Sequence, residues 1–439
     1  MSTSVNQEIE HLLDESERSG SCLATVDDRL RKALARRVRK PDRDAPASNM
    51  KGKARRPHAT PELVSPVRSL YIRESTWNKL SLDERALHVL RGLQTLHPDW
   101  VFCHDSAAVA WGLPLPGKRV LTAHVASKQV SRSSTKGDIV FHKLGVDYPV
   151  VVANGVRVTP FVETLYSVLA ISDFVDGLPL ADRALRMCQQ PVDRQVPASY
   201  YPTPNDPEAS SVPEGGRVSA PSERTIPNIA LTPQQLKGKL RSYGSHRPGS
   251  RRVIGIMGYA NARSESWAES VVRALMIANG FDTPRLQVEF DNPLEQGKKF
   301  RVDMVATRQD GTEVIIEVDG MLKYEDARML NGKTAGRILA DEQHHEAALS
   351  IYRLPILRLS YRDFSNVKTF IKKLEAYGIS RDENAMEMVR RLGKIAPGVA
   401  SHFSHVRLSD EALEQMLTNS SWLTGTSGVA GTSGIAGTN

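Results

Sequence analysis

The sequence has few cysteines and no long apolar run, and each of these absences excludes a class of protein. Its 439 residues include three cysteines, odd in number and far apart, so neither a disulfide framework nor a zinc site of paired cysteines is expected. Such cysteine usage is typical of a reducing cytoplasm. No stretch approaches the ~18 apolar residues of a membrane helix, and the polar residues 1–10 lack the apolar core of a secretion signal. We therefore expect a cytoplasmic protein without a membrane partner.

Two further absences narrow the chemistry. The phosphate-binding pattern G-x-x-x-x-G-K-[ST] does not occur, which excludes the common nucleotide-hydrolysing fold. No cysteine lies in the glycine-flanked turn that presents a nucleophile. Cys103 lies in an apolar stretch, so an inert buried thiol is the favoured interpretation.

The excess of positive charge is confined to one short segment. The chain has 58 basic and 50 acidic residues, a net charge of +8. Residues 29–56 contain twelve Lys/Arg and two acids, a net charge of +10, and the rest of the chain has a net charge of −2. Such a segment favours DNA phosphates, although a solvated tail, RNA or an acidic partner also fits. The candidate DNA-binding residues in its first part are Arg29, Arg31, Lys32, Arg36, Arg37, Arg39 and Lys40.

Composition and hydrophobic periodicity divide the chain into five parts and predict the α/β fold class. The first part is a basic helix with a flexible arm, and the second has the patterns of an α+β domain. The third is a disordered linker rich in proline and serine. The fourth combines helices with four strands as a mixed sheet flanked by helices, and the last is a helical and low-complexity tail. These parts are residues 1–66, 67–190, 191–254, 255–380 and 381–439.

Individual elements are predicted from apolar spacing and from the glycines and prolines that end each run. Helices are predicted at 23–40, 83–96, 264–279, 337–351 and 363–376, and strands at 119–126, 150–158, 286–291, 300–307, 313–319 and 355–360.

Carboxylates fall on two consecutive strands of the fourth part. Asp303 alternates with apolar neighbours on one strand, while Glu317 and Asp319 share one face at the end of the next. If the strands pair as a hairpin, Asp303 and Glu317 lie side by side and repel unless a cation such as Mg²⁺ or Mn²⁺ lies between them. The alternative is that these acids are solvated strand ends, although burying a carboxylate without a partner is costly.

A longer series of motifs surrounds these acids. In chain order it comprises Glu269-Ser270, Arg273, Gly280, Pro284, Leu286-Gln287, Arg301-Val302-Asp303, Ile316-Glu317-Val318-Asp319-Gly320, Glu342, His345-Glu346 and Leu357-Arg358-Leu359. As a set it resembles a small bacterial domain related to the very-short-patch mismatch-repair endonucleases, within the PD-(D/E)XK nuclease superfamily. The resemblance implies a restriction-endonuclease-like fold and metal-dependent cleavage of DNA.

The resemblance also assigns roles to individual residues. It implies that Asp303 and Glu317 hold Mg²⁺ or Mn²⁺ and that Glu269 orients the site. Asp319 stands where the superfamily pattern has a lysine, which would stabilise the attacking hydroxide and the phosphate. Lys323, a water or a second metal ion held by Asp319 are the alternatives for that role. The candidate catalytic residues are therefore Glu269, Asp303, Glu317, Asp319 and Lys323.

The second part carries motifs of its own. They are Phe102-Cys103-His104-Asp105-Ser106-Ala107-Ala108, Trp111-Gly112-Leu113-Pro114-Leu115-Pro116, Gly155-Val156-Arg157-Val158-Thr159-Pro160, Glu163-Thr164 and Ala181-Asp182-Arg183-Ala184-Leu185-Arg186. They resemble the AbiEi-type antitoxins of type IV toxin–antitoxin systems, which implies a cognate toxin as partner. Relatives often begin with a winged helix that binds promoter DNA, but residues 1–66 show no clear helix-turn-helix.

Two hypotheses follow. In the first, the chain is a DNA-binding protein whose nuclease-superfamily domain nicks or cleaves DNA with Mg²⁺ or Mn²⁺, in phage defence or repair. In the second, it is a non-catalytic antitoxin or transcriptional regulator that has lost turnover. Asp319 in place of the motif lysine is the feature that distinguishes them.

Overall fold

The computed structural model describes residues 2–38, 62–120, 122–127, 134–136, 139–143, 149–189, 229–293, 295–319 and 351–382, with five single residues between 384 and 392. These residues have a mixed α/β fold with three sheets, as predicted. Lys323, Arg39, Lys40 and all but the last residue of the predicted helix at 337–351 lie outside the described residues, and that last residue, Ile351, is in a turn. No helix in the described part is long and apolar enough to cross a membrane.

The N-terminal residues fold into two helices on a small antiparallel sheet. Its core buries apolar side chains from every element, among them Ile9, Leu34 and Leu63, each with 0% exposure. The strand order is β1-β3-β2. The elements are α1 (Ser2–Arg18), β1 (Leu23–Ala24), α2 (Asp28–Arg37), β2 (Leu63–Val64) and β3 (Leu70–Arg73).

Two predictions for this region are wrong. The helix expected at 23–40 begins only at Asp28, because Asp27 caps it and accepts hydrogen bonds from the Arg29 and Leu30 amides. The predicted arm ends before residue 66, since β2 pairs with β3. Strands of two residues are too short to show periodicity, so the sequence pattern did not reveal them.

The middle residues surround a six-stranded mixed sheet with strand order β6-β7-β5-β4-β9-β8. The predicted helix at 83–96 is confirmed, with a capping box between Ser81 and Glu84. The prediction of a strand at 119–126 is wrong for its first residues, because a short helix ends at Val120 and the strand begins at Ala123. The run at 150–158 forms two strands around an Asn154-Gly155 turn. The elements are α3 (Glu74–Trp77), α4 (Leu82–Leu96), β4 (Val101–Phe102), α5 (His104–Trp111), α6 (Gly117–Val120), β5 (Ala123–Ser127), β6 (Ser134–Lys136), β7 (Ile139–Lys143), β8 (Val151–Ala153), β9 (Val156–Val158), α7 (Phe161–Ile171) and α8 (Phe174–Met187).

The prediction of a linker over 191–254 is wrong for its last part. Two helices, α9 (Pro233–Gly244) and α10 (Ser250–Tyr259), pack on the middle core and bury Leu236 and Val253 completely. Thr232 and Gln235 form a capping box, with Pro233 in the first turn. This capping box, which marks the start of α9, directly follows the proline-rich residues. The composition of those residues led to the prediction of a linker that also included the helix.

The C-terminal sheet confirms the mixed arrangement expected from the sequence. Its strand order is β10-β11-β12-β13, with antiparallel pairs except for the parallel pair of β12 and β13. The predicted helix at 363–376 is divided, because Asn366 ends one helix and caps the next. The elements are α11 (Trp267–Ala278), β10 (Arg285–Asp291), β11 (Lys299–Thr307), β12 (Glu313–Asp319), β13 (Ile356–Ser360), α12 (Tyr361–Ser365) and α13 (Val367–Ala376).

Candidate functional site

The register of the C-terminal sheet places two of the predicted acids beside each other. Met304 of β11 pairs with Ile316 of β12, so the next position of the antiparallel ladder sets Asp303 opposite Glu317. Residues directly opposite in such a ladder share a face, with their Cβ atoms about 5 Å apart. On the other side of β12, Glu317 pairs with Arg358 of β13. Asp303, Glu317 and Arg358 therefore lie side by side on three neighbouring strands, and we call these three residues the acidic row.

Gln287 of β10 lies between the acidic row and Glu269, the acid on helix α11. Its neighbours Leu286 and Val288 pair with Met304 and Val302, which sets Gln287 opposite Asp303. Gln287 has a φ of +51°, a conformation that is rare for residues other than glycine, and it donates a hydrogen bond of 3.0 Å to Glu269.

Glu269 lies in the first turn of α11 and is only 5% exposed. The Glu265 amide donates a second hydrogen bond of 2.9 Å to the same Glu269 oxygen. A carboxylate in the first turn also interacts favourably with the helix dipole. Glu269 is thus hydrogen-bonded to Gln287, the residue that lies opposite Asp303 on β10.

The two strand acids have partners and surroundings of their own. The Val318 amide of β12 donates a hydrogen bond of 2.9 Å to Asp303 Oδ2, which fixes the orientation of the Asp303 carboxylate. Glu317 is partly exposed, but its Oε1 atom is buried. The backbone of Asp319 pairs with Ser360, which continues the parallel ladder past Glu317. Of the predicted catalytic residues, the structure brings Asp303 and Glu317 together and connects Glu269 to them.

A cleft of about 870 Å³ opens beside this row, along β10. Its lining comprises Asn261, Arg263 and residues 284–289, and so includes Gln287. Two arginines, Arg263 and Arg285, give the cleft cationic groups, although Arg285 also pairs with Glu313. A phosphate backbone lying in this cleft would approach the row from the side of Gln287.

The predicted DNA-binding residues of α2 divide into two groups. Arg29 pairs with Glu8 at 2.8 Å, and Arg37 pairs with Glu10 at 2.6 Å and with Glu62 at 2.8 Å. Their charge is therefore partly neutralised by acids that are distant in sequence. Arg31 pairs with Asp28 on its own helix.

Lys32 and Arg36 form the second group. Both are exposed and stand four residues apart, on one face of α2. Of the described residues proposed to bind DNA, these two therefore present their charge most openly to a polyanion.

Sequence reasoning missed a cluster of side chains with metal-ligating atoms, in the middle sheet. Cys103, His104 and His142 bring one sulfur and two ring nitrogens within 4.8 Å of one another. The first two residues are adjacent at the start of α5, but the third comes from β7, and only the fold brings them together. The Cys-His pair is the only local signal, and its cysteine was interpreted as inert.

Comparison with protein-family models, curated proteins and solved structures finds nothing that matches this chain. The likeness to the repair-endonuclease-related domain and to the AbiEi-type antitoxins therefore depends on the motifs alone.

Proposed function

We propose that this chain is a cytoplasmic DNA-binding protein whose C-terminal sheet nicks or cleaves DNA with Mg²⁺ or Mn²⁺, in phage defence or repair. The observation that carries the proposal is the pairing of Met304 with Ile316, since that register, continued by one residue, sets Asp303 opposite Glu317. Two adjacent carboxylates suit a hard divalent cation, which is commonly held by one or two carboxylates together with water and substrate phosphate.

The donor set fits such an ion. Asp303 and Glu317 would hold the cation, and Glu269 would orient the row through its hydrogen bond with Gln287. When bound, the ion acidifies a water molecule and stabilises the charge that builds on a phosphodiester. In this proposal Lys323, or a water or a second metal ion held by Asp319, takes the part of the superfamily lysine.

A second candidate is a non-catalytic regulator, such as an antitoxin that acts with a cognate toxin. It is favoured by the partners that the acids already have, namely the Val318 amide on Asp303 and Arg358 beside Glu317. The N-terminal unit offers such a regulator a basic segment, because residues 39–61, which are rich in Lys and Arg, lie between α2 and β2 in the sequence.

A nicking assay distinguishes the two candidates. Supercoiled plasmid is incubated with purified protein and Mg²⁺ or Mn²⁺, beside Asp303→Asn and Glu317→Gln. Each substitution keeps the approximate shape of the side chain and removes the negative charge of its carboxylate. We expect nicking that requires the metal ion and that falls at least about tenfold in each variant, since even outer-shell partners of metal sites change activity by that much.

The matched control is Glu375→Gln, an exposed carboxylate on α13, outside the cleft, whose partner is Arg381. It should nick like the unaltered chain. Equal nicking in all four proteins would indicate contamination and contradict the enzyme. Binding of a DNA duplex by all four proteins without nicking would favour the regulator.

A further inference from the structure

We propose that Cys103, His104 and His142 form a binding site for a transition-metal ion, with Zn²⁺ as its ion. The site lies in the middle sheet and involves none of the residues of the proposed nuclease site. Its ligand atoms all lie within 4.8 Å of one another, and they come from the start of α5 and from β7. This inference is therefore independent of the proposed function.

The side chain of His104 gives the first independent sign of a ligand. Its Nδ1 atom is buried and has no hydrogen-bond partner within the described part of the chain. Leaving a buried polar atom unsatisfied costs free energy, so such an atom in a folded protein requires an explanation. A metal ion would supply the missing interaction.

The backbone at His104 gives the second sign. Its φ is +48°, in the left-handed region that residues other than glycine adopt at a cost in free energy. The His104 ring stacks on that of His142, with centroids 3.9 Å apart and planes within 16°, so ligation of one ion by both would require one ring to rotate. Backbone strain of this kind persists where the surrounding structure enforces it, and it clusters at functional sites.

The neighbouring groups orient His142. His124 Nδ1 lies 2.8 Å from His142 Nε2. The other nitrogen of His124 lies 4.0 Å from Asp105, beyond hydrogen-bond distance, and Arg119 holds Asp105 through two hydrogen bonds. A hydrogen bond to the second nitrogen of a ligating histidine fixes its tautomer and orientation.

Metal binding requires the ligands in their deprotonated forms. Neutral imidazole is the form that binds metal ions. The Cys103 thiol would lose its proton to solvent on binding and ligate as a thiolate.

The donor set selects the ion. A thiolate with two imidazoles favours Zn²⁺ and related soft or borderline ions and disfavours Mg²⁺ and Ca²⁺, which take oxygen ligands. Zn–S and Zn–N bonds are about 2.3 and 2.0 Å long, so binding draws the three ligand atoms closer together than in the ion-free cluster. A water molecule would then take the fourth position.

Cobalt spectroscopy tests the site. Protein without a polyhistidine tag is dialysed against chelator and titrated with Co²⁺, which reports thiolate ligation by a near-ultraviolet charge-transfer band. Zn²⁺ is then added to displace it. We expect one Co²⁺ per chain, a band that Zn²⁺ removes, and a rise in the melting temperature with Zn²⁺.

Three variants separate ligation from folding. Cys103→Ser should lose the charge-transfer band, and His142→Gln, on a half-buried strand, should weaken affinity for Zn²⁺ at least about tenfold. Cys188→Ser alters a cysteine outside the cluster and should bind like the unaltered chain. Circular dichroism confirms that each variant is folded. The proposal is overturned if the unaltered chain binds no Co²⁺, or if the band persists in Cys103→Ser.

Discussion

At the scale of single residues, His88 illustrates how a buried imidazole links stability to pH. It lies on α4 with only 8% exposure, and its Nδ1 is 2.8 Å from the Glu84 carbonyl oxygen. Burial lowers its pKa from the ordinary value of 6.5. The unfolded chain therefore binds a proton at a higher pH than the folded chain does.

The sign of the effect follows from this difference. His88 contributes no penalty above pH 6.5, and stability falls as the pH drops from there towards the lowered pKa. We expect His88→Gln to show a shallower loss of unfolding free energy between pH 7 and 5 than the unaltered chain. The difference should be at most about 1.4 kcal/mol per pH unit. Urea unfolding at several pH values measures it, with the exposed His11→Gln as control. Equal slopes in all three proteins would contradict the prediction.

At the scale of elements, the end of α11 depends on one glycine. Gly280 has a φ of +81°, and its carbonyl oxygen accepts a hydrogen bond of 2.6 Å from the Asp382 amide. A Cβ atom at this position would lie 2.5 Å from the Asp382 carbonyl oxygen. Gly311, in the turn between β11 and β12, has the same φ but no heavy atom within 4 Å of that point.

These two glycines form a matched pair for substitution. Gly311→Ala should cost about 1–2 kcal/mol, the penalty of a left-handed backbone for alanine. Gly280→Ala should cost a further ~1–3 kcal/mol, because the backbone around Asp382 must also move. Urea unfolding of both variants measures the difference. Equal losses of unfolding free energy in the two variants would show that the backbone around Asp382 moves without a cost in stability.

Elements also show how much the sequence could predict. Long periodic helices such as 83–96, and strands with apolar alternation such as 300–307, were predicted to within about two residues. The small N-terminal sheet was missed, because its strands at 23–24 and 63–64 contain too few residues for a pattern. The pairing of Asp303 with Glu317 was predictable, since a hairpin fixes register locally.

The metal-ligand cluster could not be predicted in the same way. His142 follows Cys103 by 39 residues in the sequence, and the sheet order β7-β5-β4 brings their strands close together. That order places β5 between the strands, with β5 and β7 in a parallel pair. Nothing in the local spacing of the residues encodes such a crossover.

At the scale of the whole molecule, α11 connects two cores. Val272 and Leu275 pack in the core of the C-terminal sheet, whereas Ala274 and Ile277 belong to the core of the middle part. Between α8 and α11, Arg273 donates a hydrogen bond of 2.7 Å to Asp182 Oδ2, and both side chains are nearly inaccessible. The parts predicted as 67–190 and 255–380 therefore share a helix and a buried ion pair.

The distribution of charge over the whole chain gives the last prediction. Seven of the twelve basic residues in 29–56 lie in 39–56, while α2 contributes buried leucines and paired arginines to the N-terminal unit. Deleting 29–56 would therefore unfold that unit. Replacing the seven with serine removes their charge and leaves the sequence of α2 unaltered. Each lost phosphate contact should flatten the slope of log affinity against log salt by about 0.9.

Fluorescence anisotropy with a DNA duplex at several salt concentrations measures that slope. Replacing the exposed Lys32 and Arg36 by glutamine provides the comparison, because these residues lie on folded α2 and not in 39–56. We expect the larger loss of slope from the seven substitutions and a smaller one from this pair. An unchanged slope in both variants would mean that DNA binds elsewhere, with the arginine-lined cleft beside Gln287 as the next surface to alter.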